Sequence, residues 1–288
     1  MKINRKLMRV CASIIIIITT VTSCSVDGKI YPVSREEGSG TRSAFVELAG
    51  IVDDQGRDLI TQKSEITNST AVMLQTIGDN KNAIGYVSLG SMAPTVKGVM
   101  VDGVKATGDN IKDGSYKIAR TFNLILGEKV DPLAGDFIEF IKSREGQSIV
   151  EIQGYVKENG TKPYEMTDRL KAEGGEPGGK ITIAGSTSVA PVIEVIGACY
   201  MEMYPDVKIE IQQSGSSAGI IAVKEGICEI GLSSRELDGE EAGLGLTALP
   251  IAKDGIVVIV SPENPLDQLT SQQVKEIFQG EKEFWDQV

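Results

Sequence analysis

Apolar and polar positions along this chain switch repeatedly between two periods. Residues 208–213 alternate one by one, as a strand with one buried face does, and 256–260 form a β-branched run suited to a central strand. Short apolar runs at 29–33, 83–89, 122–126, 181–184 and 229–232 predict further strands. Between them, helix-period stretches cover 43–51, 71–77, 132–141, 145–153, 189–203 and 217–225. Local punctuation agrees. Asn68 and Ser69 precede one helix as cap candidates, and Gly154 stops another. Thr270 and Gln273 form a capping box for a helix ending near Phe278, with Gly280 beyond. Strands alternating with helices predict an α/β fold, and no internal repeat is visible. Residues 164–180 are charged and glycine-rich with almost nothing to bury, which predicts a linker.

The N-terminus has the pattern of a leader. Lys2, Arg5, Lys6 and Arg9 precede a largely apolar run from Val10 to Val21, too short to span a bilayer. Val21-Thr22-Ser23-Cys24 then resembles a bacterial lipobox. The expectation is a signal peptide over 1–23, lipidation at Cys24 and a short tether over 24–28; an ordinary signal peptide is the alternative. A lipid on Cys24 would anchor the protein to a membrane without spanning it. What remains fits two domains of ordinary size. The net charge of −11, with no basic stripe, argues against a nucleic-acid partner. Of the four cysteines, Cys11 lies in the leader, and Cys199 and Cys228 sit in apolar runs. Those two read as buried thiols, with a disulfide as the alternative. The chain has no histidine, which removes Ser-His-Asp chemistry and the usual zinc sites.

The chemistry is concentrated in Gly/Ser/Thr-rich turns that lead into helical runs. They are S-R-E-E-G-S-G-T-R at 34–42, A-G-S-T-S-V-A-P at 184–191 and S-G-S-S-A-G-I at 214–220. Each aims main-chain N–H groups and hydroxyls at one point, at the positive end of a helix. Three of them, one carrying an arginine, point to a pocket for a small oxyanion. G-S-G-T lacks the G-K-[ST] of a nucleotide-binding P-loop, so a binding protein is expected rather than an enzyme, and no cofactor.

These turns, with I-G-L-S-S-R-E-L, I-A-K-D-G-I-V-V-I-V-S-P-E-N-P, L-T-S-Q-Q-V-K-E-I-F-Q-G and A-I-G-Y-V-S-L-G, resemble the phosphate-binding proteins of bacterial phosphate ABC transporters, the PstS family. The resemblance implies a two-lobed periplasmic-binding-protein (type II) fold with inorganic phosphate in the cleft. It implies an extracytoplasmic, lipid-anchored monomer that delivers phosphate to permease subunits. The segment order departs from the family, where A-G-S-T-S comes near the N-terminus and S-R-E-E-G-S-G-T-R follows later. A circular permutation is expected, with 164–180 as the join and Lys29 near Val288; a cut or rearranged tandem gene is the alternative. The lobes would then comprise 29–94 plus 238–288, and 95–237, with hinge crossings near 90–96 and 237–250.

By position, Thr187 and Ser188 match the family's first binding loop, Ser216 the second, and Ser39, Gly40 and Thr41 the third. Arg35 matches the family arginine, whose planar fork suits a tetrahedral oxyanion, and Glu37 stands where the family places its carboxylate partner. Arg42 and Arg235 read as structural or rim residues. Ser234 occupies the position where some members carry an Asp that accepts the phosphate proton. A backbone carbonyl, Ser234 itself or Glu236 could fill that role. A homologue with lost or altered oxyanion specificity is therefore the alternative function.

Overall fold

The computed structural model describes residues 28–158, 162–173 and 177–288, so the leader and Cys24 lie outside the described residues. Two large hydrophobic cores and a small third cluster around Ile220 and Val223 organise the described residues. Ile30, Phe45, Met73, Tyr116, Ile118, Ile256, Val258 and Phe278 belong to the first. Phe122, Phe137, Ile183, Ile193, Tyr200, Leu232, Ile251 and Ala252 belong to the second. The backbone therefore crosses between lobes at 118–122 and 252–256, and the lobes comprise 28–118 plus 256–288, and 119–255.

These crossings correct the expected boundaries near 94 and 237. Val96, Val99, Val101 and Ile111 pack into the first core. They are held there by two short strands: Lys97–Gly98 pairs with 259–260, and Met100–Val101 pairs with Gln268–Leu269. Residues 247–255 instead pair with Ala119–Leu126 of the second lobe. All of these partners are remote in sequence, and periodicity carries no information about them.

One strand, Thr247–Val260, serves both lobes. Its first part runs antiparallel to Ala119–Leu126 with a bulge between Pro250 and Ala252, and its last part antiparallel to Ala83–Ser88. The sheet path runs Glu65–Thr67, Tyr31–Arg35, Ala83–Ser88, Thr247–Val260, Ala119–Leu126, Ile230–Ser233, Gly179–Gly185, Val207–Gln213. Pairing is parallel around Tyr31–Arg35 in the first lobe and around Gly179–Gly185 in the second. The central strands Ala83–Ser88 and Ile230–Ser233 are buried along their whole length, whereas Glu65–Thr67 and Val207–Gln213 at the ends of the sheet path are largely exposed or half-buried.

The expected helices form, with small boundary shifts: Gly40–Leu48, Thr70–Asp79, Pro132–Lys142, Arg144–Ile152, Ala190–Met203, Ser216–Lys224 and Ser271–Gln279. The Thr270–Gln273 capping box is present, and Gly280 ends that helix at φ 79°. The linker expected over 164–180 is corrected. Its described part contains the short helix Asp168–Glu173 and the start of Gly179–Gly185, and Tyr164, Met166 and Leu170 pack on the second core. The fully buried Asp136 accepts from Tyr200 Oη (2.7 Å), Tyr164 Oη and Thr167 N (2.6 Å). Three apolar anchors and one buried acceptor suffice to dock a segment whose average composition reads as linker.

The two ends of the described chain meet, as expected. Lys29 forms an antiparallel bridge with Phe284, Ile30 N donates to Glu283 O (2.8 Å), and Trp285 N donates to Gly28 O (3.1 Å). Cys199 and Cys228 are both free thiols, the first half-buried and the second buried.

Candidate functional site

Four helix starts and one strand end converge where the lobes touch, each at the carboxyl end of a strand. Tyr31–Arg35 delivers Arg35, and the following turn opens the Gly40–Leu48 helix, whose cap Ser39 accepts from Arg42 N (3.4 Å). Glu65–Thr67 leads through the cap Ser69 to Thr70. Gly179–Gly185 leads through Ser186, Thr187 and Ser188 to Ala190–Met203, and Val207–Gln213 leads to Ser216. Ile230–Ser233 ends at Ser234. Helix starts leave main-chain N–H groups without intrahelical partners and carry partial positive charge. The carboxyl ends of parallel strands are where α/β folds place ligands.

The side chains meet across the lobes. Arg35 Nη2 donates to Thr187 Oγ1 (3.2 Å), Thr41 and Ser188 share a hydrogen bond (2.8 Å), and Thr70 and Thr187 share another (3.2 Å). Ser217 N donates to Gly38 O (3.2 Å). Within the second lobe, Ser186 Oγ donates to Ser234 Oγ (3.0 Å), Ser216 Oγ lies 3.3 Å from it, and Ser234 N donates to Ser216 Oγ (3.0 Å). Gly40 lies hard against this cluster: a Cβ there would sit 2.2 Å from Ser216 Oγ and 2.7 Å from Ser234 Oγ. Arg35, Ser39, Thr41, Thr187, Ser188, Ser216 and Ser234 are all buried. The structure thus gathers the eight residues read as anion ligands, from segments far apart in sequence.

Glu37 is a correction. It is exposed, and its neighbour Glu36 holds the arginine, accepting from Nε at Oε2 and from Nη2 at Oε1, both at 2.8 Å. The strand ends at Arg35, so the next side chain folds back along the fork while Glu37 sits in the turn facing solvent. Arg42 and Arg235 occupy structural positions, as expected. Arg42 pairs with Asp58 (2.6 Å) and donates to Arg35 O (2.8 Å), whereas Arg235 forks onto Glu241 (2.6 and 2.7 Å).

Sequence reasoning missed several residues. Thr70 follows the recognised cap Ser69, so a helix-start signal was available for it. Ser186 lay inside the first cradle. Tyr86 had no local signal: its hydroxyl pairs with Ser34 Oγ (2.7 Å), accepts from Arg35 N (3.3 Å), and its ring stacks on Phe45 at 4.0 Å. Burial pushes the Tyr86 phenol up to about 12, so it stays protonated at neutral pH. Arg120 and Asp254 were also missed; they form a buried pair (3.0 Å) at the lobe crossing. Burial lowers the Arg120 value and raises that of Asp254, each opposed by the partner's charge.

The arrangement offers hydroxyls, free N–H groups and one planar fork whose charge is partly offset by Glu36. That suits reversible capture of a small tetrahedral anion.

Comparison with known proteins agrees. A family model described as a PBP superfamily domain matches residues 22–145 and 171–288. The phosphate-binding protein PstS 2 of Streptococcus agalactiae is 44% identical over 269 residues, covering 92% of this chain and 89% of its own. PstS 2 of Streptococcus pneumoniae is 40% identical over 267 residues, with the same shares covered. The crystal structure of a phosphate ABC transporter, phosphate-binding protein from Streptococcus pneumoniae superposes with a TM-score of 0.70 at 40% identity, over 91% of this chain and 100% of that one. On fold, site geometry and sequence together, this chain belongs to the PstS family of phosphate-binding proteins, within the PBP superfamily.

Proposed function

We propose that the protein binds inorganic phosphate between its lobes, as the extracytoplasmic, lipid-anchored substrate-binding component of a phosphate ABC importer. The observation that carries this reading is the convergence of Arg35 with hydroxyls and helix starts from both lobes. In it, Arg35, Ser39, Gly40, Thr41, Thr187, Ser188, Ser216 and Ser234 hold the anion, Thr70 joins them, and Glu36 orients the arginine. A dehydrated anion needs many donors, and buried donors lose free energy when left unpaired, so the cleft favours an occupant with four acceptor oxygens. Strands crossing at 118–122 and 252–256 allow the lobes to open and close as hinged bodies. Cys24 carries the lipid, and the closed protein, a monomer, delivers phosphate to the permease. The segment order is read as a circular permutation, and the pairing of Lys29 with Phe284 supports it.

One observation favours a second reading, a broader oxyanion specificity. Both Glu36 oxygens are engaged by Arg35, and Ser234 brings a hydroxyl where a carboxylate would single out a protonated anion.

Calorimetric titration of the purified full-length protein with phosphate and then sulfate decides between them. The expected result is one-to-one phosphate binding by a monomer, with sulfate at least 100-fold weaker. Arg35→Ala is expected to weaken phosphate binding at least 100-fold, since a buried charge-assisted contact is worth about 3 kcal/mol or more. Near-native phosphate affinity in Arg35→Ala would overturn the site; equal affinity for sulfate would establish the second reading.

A further inference from the structure

A second polar path runs beneath the cleft and uses none of the residues assigned to the anion except the backbone of one. On the first-lobe side, Ser88 Oγ (2.8 Å) and Leu89 N (3.1 Å) donate to Asp254 Oδ1. Asp254 Oδ2 accepts from Arg120 Nε (3.1 Å) and Nη2 (3.0 Å). The remaining guanidinium nitrogen, Arg120 Nη1, donates to the Ser234 carbonyl (3.4 Å). Ser234 N and Oγ in turn belong to the cleft network. Ser88, Asp254 and Ser234 are fully buried, and Arg120 is 7% exposed.

The path lies where the backbone changes lobes. Asp254 and Arg120 face each other in the antiparallel pair that forms the crossing, and Ser88 stands opposite Ile256. The guanidinium lies over the Phe122 ring at 5.1 Å, which backs it on one face. Phe122 packs on Tyr155 (5.3 Å), and Tyr155 presses on Gly90 of the first lobe so closely that a Cβ there would fall 2.2 Å from the ring. A buried ion pair contributes little net stability compared with an apolar pair of the same volume. What this pair does supply is geometry, with one end fixed by the first lobe and the other bonded to a cleft turn of the second.

We infer that Arg120 is a positioning residue for the anion site: tethered to the first lobe through Asp254, it holds the Ser233–Arg235 turn at the height the ligand needs, in register with the observed closure. This rests on the phosphate-binding reading. The turn is loaded once the lobes have met, so a fault in the path speeds ligand escape and leaves encounter unchanged.

The test uses two variants of the full-length protein. Arg120→Lys keeps the charge, but its single ammonium lacks the planar fork that reaches Asp254 through Nε and Nη2 and the Ser234 carbonyl through Nη1. The paired R120M/D254L replaces the ion pair by apolar side chains of similar volume. Phosphate affinity and dissociation rate are measured by calorimetry and stopped flow, and amide hydrogen exchange is followed without ligand. Both variants are expected to bind phosphate at least tenfold more weakly, through faster dissociation. Exchange is expected to rise at Ser233–Arg235 and to stay unchanged at Ser186–Ser188. Wild-type binding and exchange in Arg120→Lys would overturn the inference, as would exchange rising equally throughout the second lobe. If the paired variant fails to fold, the lysine variant decides. If the wild type itself does not bind phosphate, the proposed function fails, and the exchange measurement still shows whether Arg120 holds the turn.

Discussion

Gly40→Ala is the smallest change that separates binding from folding in this protein. Gly40 is the first residue of its helix and is not among the glycines with positive φ, so alanine takes its backbone without strain. Within one lobe the substitution is favourable, by about 0.5–1 kcal/mol of helix propensity. Across the cleft it is not. The new methyl would fall 2.2 Å from Ser216 Oγ, 2.7 Å from Ser234 Oγ and 2.9 Å from Ser216 Cβ. Rotating the serine relieves only the first contact, and it breaks the bond from Ser234 N. Carbon atoms rest about 3.5–4.0 Å apart, so the lobes must separate by roughly 0.6–1 Å. The interlobe bonds Thr41–Ser188 (2.8 Å), Arg35–Thr187 (3.2 Å) and Thr70–Thr187 (3.2 Å) would then stretch to or beyond hydrogen-bonding range. At about 1 kcal/mol each, their loss amounts to about 3 kcal/mol, or on the order of 100-fold in Kd. Calorimetry gives the Kd, and a thermal melt without phosphate, where the proposed open form makes none of these bonds, gives the stability, which should match or slightly exceed wild type. A Kd within threefold of wild type in a folded variant would refute the reasoning, because the observed lobe contact would then not be the ligand-holding one.

Three further outcomes follow from other parts of the molecule. Cys24→Ala should move the protein from the membrane fraction to the soluble one without changing phosphate affinity; retention on membranes after carbonate washing would refute lipid anchoring there. Asp136→Ala leaves the hydroxyls of Tyr164 and Tyr200 and the amide of Thr167 without their acceptor. It should cost about 3 kcal/mol or more in denaturant unfolding and expose 162–173 to limited proteolysis; an unchanged midpoint would contradict this account of the docked segment. The Arg235 fork holds the Glu241 carboxyl below the usual carboxylate range. That stabilisation is present above pH about 4.5 and is lost as pH falls through the lowered folded value. Glu241→Gln should therefore destabilise by about 1 kcal/mol at pH 7 and by less at an acid pH below the lowered folded value, where the carboxyl is protonated. Equal effects at both pH values would show that the fork contributes no charge-dependent stability.

Arg35, Ser39, Thr41, Thr187, Ser188 and Ser216 were candidates from the chain because the turns that carry them are local devices and match the binding loops of the family the sequence resembles. A glycine- and serine-rich turn before a helical run commits its donors to the helix start wherever that helix packs. The strands and helices were legible for the same reason, since periodicity and caps act over a few residues. Glu36 was missed in favour of Glu37 because the choice depends on where the strand ends, and that end is set by pairing with remote Glu65–Thr67. The segment 164–173 read as linker because its three anchors find their partner only in the folded second core.

The sequence by itself determined an α/β chain with three donor-rich helix starts, one of them bearing an arginine. Only the tertiary structure decided that these starts face each other across two lobes and that Thr70 joins them. It also decided that the lobes divide at 118–122 and 252–256, with Arg120 and Asp254 buried at the crossing. The physical reason is range. Caps and turns are specified by hydrogen bonds between near neighbours, whereas the crossing exists only because Thr247–Val260 pairs with Ala83–Ser88 on one side and Ala119–Leu126 on the other, more than a hundred residues away.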